Sequence, residues 1–361
     1  MSSNKLTTLL YTILHFCIDG ICIYTIFNRL YSDDFYRSLA VFFLYNTFAF
    51  IFQAFVGVLI DKFKNHKLFL IISIVLTALG GILNFNFIIS EIILGLVNAF
   101  FHIAGGYHVI KSTKNDIASL GIFVSSGAIG VCLGQRFSGI YILITFIALA
   151  LICSTIVLFT NVKYEDNNNQ LKEKKNSKLK IIFLLLILLV VFIRSFIGKI
   201  SIINFDTNNI IFLLIAICVA LGKGLGGIIS KYFGIIKTII ISSSISIILL
   251  AFLNFNAIGY MIGICLFNFT MPITLYYANI VLKGHEGLAF GLLAMILFPG
   301  YLLGMIPFYN IVIIILIIIL SILSSLIIIL LKRRIIDYDR CYNSFNVYNS
   351  NWDCCFNFIK S

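Results

Sequence analysis

Long apolar stretches separated by short polar breaks cover most of this chain. A helix needs about 20 residues to cross a hydrocarbon core about 30 Å thick, and each stretch is close to that length. Cutting the sequence at the breaks gives twelve predicted spans. The first six are predicted at 6–30, 36–60, 67–85, 88–110, 116–135 and 139–160. The second six are predicted at 181–203, 209–230, 236–254, 257–281, 287–306 and 309–331.

The two sets of six spans divide the chain into four regions. An N-terminal six-helix bundle is predicted at 1–160 and a C-terminal six-helix bundle at 181–332. The cytoplasmic linker between them, 161–180, is rich in Asn, Lys and Glu. The stretch 333–361 is polar and lacks apolar periodicity, so we expect it to be a disordered cytoplasmic tail.

The composition excludes a soluble protein. Hydrophobic residues make up 61% of the chain and charged residues 11%, whereas soluble domains are about half apolar and a quarter charged. The net charge of +12 arises from Lys and Arg residues concentrated in alternate polar breaks, which is typical of cytoplasmic loops rather than of a nucleic-acid-binding surface. We therefore predict a multi-pass protein of the cell membrane, in contact with the lipid bilayer, with both termini cytoplasmic and no nucleic-acid partner.

The sequence indicates neither cofactor nor metal chemistry. Six of the nine cysteines lie inside apolar spans, where a thiol behaves as a small hydrophobic group. No metal-ligand spacing joins the cysteines. The glycine-rich stretch 222–227 lies within a predicted span and lacks the strand–loop–helix context of a phosphate-binding loop. We predict no cofactor, no metal and no nucleotide.

An internal repeat relates the two sets of spans. The stretch Gly57-Val-Leu-Ile-Asp61-Lys62 recurs 169 residues later as Gly226-Gly-Ile-Ile-Ser230-Lys231, at the same end of the equivalent span. Matches at an offset of 170 support the same relation: Asn98 with Asn268, Asp116 with Glu286, Gly121 with Gly291, Gly130 with Gly300 and Gly134 with Gly304. The predicted fold class is an all-α polytopic membrane protein with twelve transmembrane helices in two pseudo-symmetric six-helix bundles. In such bundles the substrate binds between the halves near the midplane.

Glycines recur every three or four residues in spans 5 and 11. This spacing lets two membrane helices approach closely. We therefore predict helix packing as the role of these residues, which are Gly127, Gly130, Gly134, Gly300 and Gly304.

Three ionisable side chains fall near the middle of predicted spans. Asp19 and His15 lie four residues apart on one face of span 1, and Arg194 lies in span 7. A charge at mid-bilayer costs roughly 2.5 to 3.5 kcal/mol on insertion scales and usually faces a cavity or a partner. A carboxylate beside an imidazole suits proton capture, and a guanidinium can bind a carboxylate or phosphate through two hydrogen bonds. We predict substrate-binding or proton-coupling roles for all three, with Asp19 and Arg194 facing each other across the central cavity.

Structural alternatives to these roles stay open. Asp19 and Arg194 could form a purely structural pair, and His15 could bond a backbone or hydroxyl group.

Further polar side chains lie at similar depth in the repeat. Asn98 and His102 share a face of span 4, and Asn268 is the repeat mate of Asn98. Either these groups line the cavity, with roles in substrate binding or proton coupling, or they bridge helices. Glu91 and Arg136 are predicted to lie at the outer surface.

Together these features resemble the major facilitator superfamily, in which two six-helix bundles rock around a central site. Gly57-x-x-x-Asp61-Lys62 followed by basic residues is similar to the signature loop between spans 2 and 3 of that family. The resemblance implies that ion pairs of this loop hold one conformation and break in the other. Ser230 replaces the acid in the second copy, so gating is expected mainly from the first. The residues assigned to conformational gating are Gly57, Asp61, Lys62, Lys67 and Lys231.

A narrower resemblance covers most of the first half. His15-x-x-x-Asp19 and the stretch 95–105 are similar to the fosmidomycin-resistance branch of drug/proton antiporters. The glycines of span 5 resemble the glycine motif of the antiporter subgroups, although Val131 stands where that motif has proline. The resemblance implies a proton-coupled exporter of small molecules.

The predicted function is therefore a secondary active transporter that exports a small molecule, anionic if Arg194 binds it, by alternating access. Its predicted partners are that substrate and protons. An importer or an uncoupled facilitator on the same fold stays open, because direction depends on gradients and on the affinities of the two states. A non-transporting membrane sensor or an enzyme is disfavoured, because the sequence shows no His/Asp/Glu metal cluster and no Ser–His pair in a loop.

Overall fold

The computed structural model describes residues 3–30, 33–82, 86–160, 164, 177–201, 205 and 207–347. Within these ranges the chain is helical apart from turns and short connections. Among the described residues, eleven helices are long and apolar enough to cross a membrane, and the third helix is shorter and also apolar. The predicted all-α architecture of twelve membrane helices is confirmed.

The helices follow the predicted spans closely. In the first half they are α1 (Asn4–Leu30), α2 (Phe35–Phe63), α3 (His66–Ile82), α4 (Phe87–Ser112), α5 (Ile117–Arg136) and α6 (Ile140–Phe159). In the second half they are α7 (Lys178–Ile200), α8 (Asn209–Phe233), α9 (Ile235–Phe252), α10 (Ala257–Val281), α11 (Glu286–Leu303) and α12 (Asn310–Val347).

The last helix extends further than the sequence predicts. α12 continues to Val347, into the stretch expected to be a disordered tail. Between residues 333 and 347 the chain has no glycine and no proline. These are the two residues with the lowest helix propensity, so neither ends the helix earlier. Residues 348–361 and most of the predicted linker lie outside the described residues.

Polar side chains cap the start of several helices. Each of these caps accepts a hydrogen bond from a backbone N–H of the first turn, which a helix start otherwise leaves without a partner. The capping residues are Asp34, Asn86, Asp116, Asn208 and Asn256. The caps thereby help to set where the helices begin.

Helices α5 and α10 are each interrupted partway along their length. α5 is interrupted at Ser126. α10 is interrupted by a 3-10 turn just before Pro272. Because proline has no N–H to offer, the Asn268 carbonyl accepts from the N–H of Met271 instead. The Phe267 carbonyl, one residue earlier, is thereby left to bind a side chain.

The predicted packing glycines lie at helix contacts within each half. A Cβ on Gly130 or Gly134 would overlap the backbone of α1. A Cβ on Gly300 or Gly304 would crowd α7 in the same way. The internal repeat is therefore visible in the packing, because α5 approaches α1 as α11 approaches α7.

Two of the helix pairs along which the halves meet are α2 with α11 and α5 with α8. Gly57 and Gly291 lie in the first contact, and Gly121 and Gly227 lie in the second. A Cβ on any of the four would overlap backbone atoms of the facing helix. Gly121 and Gly291 are repeat mates, so the contact between the halves is itself pseudo-symmetric.

Candidate functional site

A buried polar network occupies the middle of the first half. It consists of His15 and Asp19 on α1 with Asn98 and His102 on α4. Nε2 of His15 is 3.2 Å from Oδ2 of Asp19. Asn98 donates from Nδ2 to Oδ1 of Asp19 at 2.9 Å, and Nε2 of His102 is 3.6 Å from the same oxygen. His15, Asp19 and Asn98 are each buried, so solvent is largely excluded from the carboxylate.

The two histidine rings also contact each other. Their Nε2 atoms are 2.8 Å apart, and the rings meet edge to face with centroids 4.5 Å apart. Nδ1 of His15 is 2.8 Å from the carbonyl oxygen of Phe123. Nδ1 of His102 is 2.8 Å from the carbonyl oxygen of Asn98. Each imidazole is therefore held at both nitrogens, which fixes the orientation of both rings.

Helix α5 closes the network on another side. At its interruption, Ser126 donates from Oγ to the carbonyl oxygen of Thr12 on α1 at 2.7 Å. A Cβ on Gly127 would overlap the side chains of Asp19 and His15. Gly127, which the sequence assigns to helix packing, thus packs against the candidate site itself.

A lysine to which the sequence analysis gives no role approaches the network from the second half. Lys223 on α8 is half-buried, and its ammonium interacts electrostatically with the carboxylate of Asp19 and with Arg194. The signal available in the sequence was a lysine inside an apolar span, which is unusual unless it faces a cavity or a partner. The charges around Asp19 therefore come from both halves.

Arg194 binds a backbone carbonyl and an aromatic ring rather than a carboxylate. Its Nη1 donates to the Phe267 carbonyl at 2.8 Å, and its Cζ lies 4.6 Å from the centre of the Phe267 ring. Within the part of the chain that the structure describes, Arg194 forms no ion pair with a carboxylate. It lines a small pocket together with hydroxyl-bearing residues, which are Ser243, Ser246, Thr270, Ser321, Ser324 and Ser325. Arg194 and Asp19 therefore form no ion pair in this conformation, and Lys223 is a cation of the second half that interacts electrostatically with Asp19.

Asn268 behaves differently from its repeat mate. It donates from Nδ2 to the carbonyl oxygen of Ile264 at 2.8 Å, within its own helix. Asn98 instead donates to the carboxylate of Asp19. Equivalent asparagines thus have unequal partners in the two halves.

The network contains ligand types that bind transition metals. The ligand atoms of His15, Asp19 and His102 lie within 4.8 Å of one another. The expectation that the chain has no His/Asp/Glu cluster is therefore wrong, because the fold brings together residues that are distant in sequence. Two nitrogens bound to a tetrahedral ion at about 2.0–2.1 Å lie roughly 3.3 Å apart. The Nε2 atoms here are only 2.8 Å apart. That separation fits a hydrogen between the nitrogens better than a metal ion.

Polar contacts join the halves at the end of the bundle that carries Asp61, Lys111, Asp116, Lys231 and Glu286, here called the basic end. Oδ1 and Oδ2 of Asp61 accept hydrogen bonds from the backbone N–H groups of Gly287 and Leu288, each at 2.8 Å. A carboxylate at a helix N-terminus also interacts favourably with the helix dipole. Asp61 therefore ties α2 to α11 through the backbone rather than through the ion pair that the resemblance implies.

Two ion pairs complete the basic end. Nζ of Lys231 is 2.8 Å from Oδ1 of Asp116, and Nζ of Lys111 is 3.3 Å from Oε1 of Glu286. Burial raises the pKa of the Asp116 carboxyl, but the hydrogen bonds from Lys231 and Ser119 outweigh burial and hold that pKa below its ordinary value. Each acid is the repeat mate of the other, and each binds a lysine of the opposite half.

The other lysines assigned to gating do not bridge the halves. Lys67 donates from Nζ to the carbonyl oxygen of Leu158 at 2.7 Å, within the first half. Lys62 is exposed and has no polar partner among the described residues. In this conformation the contact between the halves at the basic end therefore depends on other groups.

Glu91 is buried, although the sequence analysis places it at the outer surface. Its relative exposure is 0%, and neither carboxylate oxygen has a hydrogen-bond partner among the described residues. Glu91 lies near the start of α4, as predicted, but the neighbouring helices decide on which side of α4 its carboxylate lies, and they cover it.

Comparisons with known proteins define a fold for this chain. No family model matches the sequence, and no curated protein matches it. The helices are arranged as in the fold of the major facilitator superfamily. One similar solved structure is a point variant of the E. coli fucose:proton symporter FucP, with a TM-score of 0.67 and 13% sequence identity over 92% of this chain and 99% of that chain. The fold implied by the resemblance is thereby confirmed, and membership of the fosmidomycin-resistance branch stays a prediction.

Proposed function

We propose that this protein is a secondary active transporter that couples the movement of a small anionic molecule to protons by alternating access. The observation that carries the proposal is the buried network of Asp19, His15 and His102, which meets Lys223 where the two halves face each other. The fold provides two bundles around a central site. The network provides groups that bind a proton, and Lys223 attracts an anion.

The balance of charge supports an anionic substrate. Near the centre of the bundle, Lys223 interacts electrostatically with both Asp19 and Arg194, and Arg194 lacks a carboxylate partner among the described residues. A buried charge without a counter-ion costs several kcal/mol, and a bound anion would offset that cost. Asn98 and Asn268 offer amide groups at the same depth for further polar contacts with substrate.

Export by proton antiport is the direction that the resemblance to the fosmidomycin-resistance branch implies. Proton–anion symport is a second candidate, favoured by the electrostatic interaction of Lys223 with Asp19. A proton bound in the network neutralises the charge of Asp19 and leaves Lys223 free for an anion, so the two would bind together. The fucose:proton symporter of similar fold supports the view that such an architecture can serve symport.

Alternating access requires the contacts at the basic end to break. We place that end at the cytoplasmic side, because the positive-inside rule favours it. In the proposed cycle Gly57, Asp61 and Lys231 hold the cytoplasmic side closed, and Lys62 and Lys67 gain partners in the opposite conformation.

The experiment that tests this function is transport by purified protein in proteoliposomes that enclose a pH-sensitive dye. Fosmidomycin and methylphosphonate are the first substrates, and Asp19→Asn is compared with His285→Gln, whose residue is exposed at the basic end. We expect substrate-dependent pH change in the wild type and in His285→Gln, and none in Asp19→Asn. Proton movement opposite to substrate indicates antiport, and movement in the same direction indicates symport. Substrate flux without any pH change would exclude proton coupling and leave a facilitator.

A further inference from the structure

The hydrogen-bond roles within the network determine where two of its hydrogens lie. A backbone carbonyl only accepts, so Nδ1 of His15, 2.8 Å from the Phe123 carbonyl, carries a hydrogen. The same reasoning places a hydrogen on Nδ1 of His102, 2.8 Å from the Asn98 carbonyl. A neutral imidazole carries only one N–H. If both rings were neutral, both Nε2 atoms would therefore lack a hydrogen.

Two bare Nε2 atoms are inconsistent with the contact between the rings. The atoms are 2.8 Å apart, which is the length of a hydrogen bond, and two lone pairs facing each other at that distance repel. A proton on Asp19 does not remove the conflict, because the Nε2–Nε2 contact would still contain no hydrogen. One ring must therefore carry a second N–H, directed at the other ring.

We propose that His15 and His102 together form the proton-binding site, and that one proton is shared between their Nε2 atoms while the basic end is closed. Asp19 acts as the counter-ion, with its carboxylate oxygens 3.2 Å from Nε2 of His15 and 3.6 Å from Nε2 of His102. The proposal rests on the proposed function and moves the proton from the carboxylate to the pair of rings. It also sets a stoichiometry of one bound proton for each protein molecule.

The groups around the pair favour one proton over two or none. On α1, Asp19 attracts the first proton. On α8, Lys223 opposes a second one, because its positive charge interacts with the same network. Cys22 on α1 and Tyr45 on α2 also interact with Asp19, and a thiol and a phenol are ordinarily neutral at physiological pH. From α5, the Phe123 carbonyl faces His15 and carries no net charge.

Loss of the shared proton changes both the charge and the packing of the site. With the proton, the positive pair of rings and the negative Asp19 sum to zero. Without it, the network carries one negative charge, which attracts Lys223 and competes with an anionic substrate for that lysine. The rings also lose their mutual hydrogen bond, which is one of the contacts between α1 and α4. Proton occupancy would in this way decide whether Lys223 is available to substrate.

Nitrogen-15 NMR of labelled histidine in the full-length protein, reconstituted in lipid nanodiscs, tests the proposal without any substrate. The chain has five histidines. At neutral pH we expect the rings of His15 and His102 to carry three N–H hydrogens between them, one more than two neutral rings provide, with a scalar coupling between the nitrogens that share the hydrogen. His15→Gln and His102→Gln should each abolish that coupling and remove the extra N–H. The matched control His285→Gln should keep both.

Several results would overturn the proposal. One is a wild-type spectrum of neutral rings only, and another is a coupling that persists in both His15→Gln and His102→Gln. A third is one equivalent of bound metal by elemental analysis, whose removal with a chelator separates the rings. If either variant fails to fold, the wild-type spectrum alone decides. A shared proton in a protein that moves no protons with substrate would count against the proposed function, whereas coupled transport with two neutral rings would overturn only this site.

Discussion

The two halves of this protein repeat one architecture and equip it with different chemistry. Each half interrupts a helix partway along its length and offers a backbone carbonyl to an ionisable side chain. In the first half the Phe123 carbonyl lies against His15, and in the second the Phe267 carbonyl accepts from Arg194. The first half surrounds its carboxylate, Asp19, with histidines, whereas the second half presents its guanidinium to hydroxyl groups. Each half thus offers a backbone carbonyl near a helix interruption, and the side chain nearby decides which ionisable group contacts it.

The basic end shows where the halves differ and where they agree. Asp61 in the first copy of the repeat binds the N-terminus of α11, but its counterpart Ser230 is buried, and its hydroxyl has no partner among the described residues. Asp116 and Glu286, by contrast, both pair with a lysine of the other half. At this end the first half therefore binds a helix N-terminus of the second half with no equivalent in return in the part of the chain that the structure describes, whereas each half contributes one acid and one lysine to the two ion pairs.

The largest effect is expected at Gly57, which packs against the other half, whereas its repeat mate Gly226 packs within its own half. Gly57→Ala adds a Cβ that would overlap the backbone of Gly287 on α11, so it should push the halves apart at the basic end. We expect the population closed at that end to fall about tenfold or more, because overpacking typically costs about 1–3 kcal/mol. Electron spin resonance distances between labels at positions 62 and 283, in a cysteine-free background, measure that population.

Two glycine variants serve as controls for this prediction. Gly139→Ala should leave the distance distribution unchanged, because a Cβ there meets nothing within 4 Å. Gly226→Ala, the repeat mate, would overlap Phe269 within the second half and should reduce stability without opening the basic end selectively. An unchanged distance distribution in Gly57→Ala would contradict the role given to the contact between α2 and α11.

A smaller effect is expected from removing positive charge near the centre. Lys223→Met and Arg194→Met should each raise KM for an anionic substrate by about tenfold or more, because hydrogen bonds to charged groups are worth about 1.5–3 kcal/mol. Initial rates of uptake into proteoliposomes at varied substrate concentration give KM. Lys199→Met is the control, since Lys199 stacks on the ring of Tyr301, 4.9 Å from its centre. Unchanged KM in both central variants would exclude the assignment of anion binding to the second half.

The smallest effect is expected at the symmetric ion pairs. The pKa of Asp116 is held below its ordinary value in the closed conformation, so its pairing stabilises that conformation above the ordinary carboxyl pKa of about 3.9 and is lost as the pH falls through the lowered pKa. Asp116→Asn should therefore shift the closed population only slightly at pH 7, because exposed ion pairs contribute little. It should also remove the part of the acid-induced opening that depends on Asp116.

The spin-label distances recorded between pH 7 and pH 3.5 check this effect. Glu286→Gln serves as the matched variant in the other half, and exchange of the charges in Asp116→Lys with Lys231→Asp should restore the wild-type population at pH 7. An Asp116→Asn protein that opens with acid as the wild type does would show that the pair does not contribute.

The sequence was sufficient to predict the fold. Bilayer thickness sets the length of a span, and the polar breaks mark the ends, so all twelve helices could be located from hydrophobicity alone. The glycine repeat also predicted helix contacts, because close approach requires small side chains at regular spacing. The disordered tail was misjudged up to Val347, since polar composition by itself does not prevent a helix.

The candidate site was predicted only in part. His15 and Asp19 could be paired from the sequence, because four residues span about one helical turn. The contacts of His102 and Asn98 with them cross from α4 to α1, and the position of Lys223 depends on how α8 meets the first half. The absence of an ion pair between Arg194 and Asp19 has the same reason, because equivalent positions in a repeat do not set the direction in which a side chain points.

The sequence by itself therefore determined the number and order of the membrane helices and the approximate position of each apolar segment. Those properties depend only on the hydrophobicity of each segment and on the thickness of the bilayer that surrounds it. Only the tertiary structure decided that two histidines 87 residues apart share a contact of 2.8 Å, and that Asp61 caps a helix of the other half. Rotation of one helix about its axis by half a turn leaves its hydrophobic length unchanged but redirects every polar side chain. The partners of the charged groups are for that reason a property of the packed bundle.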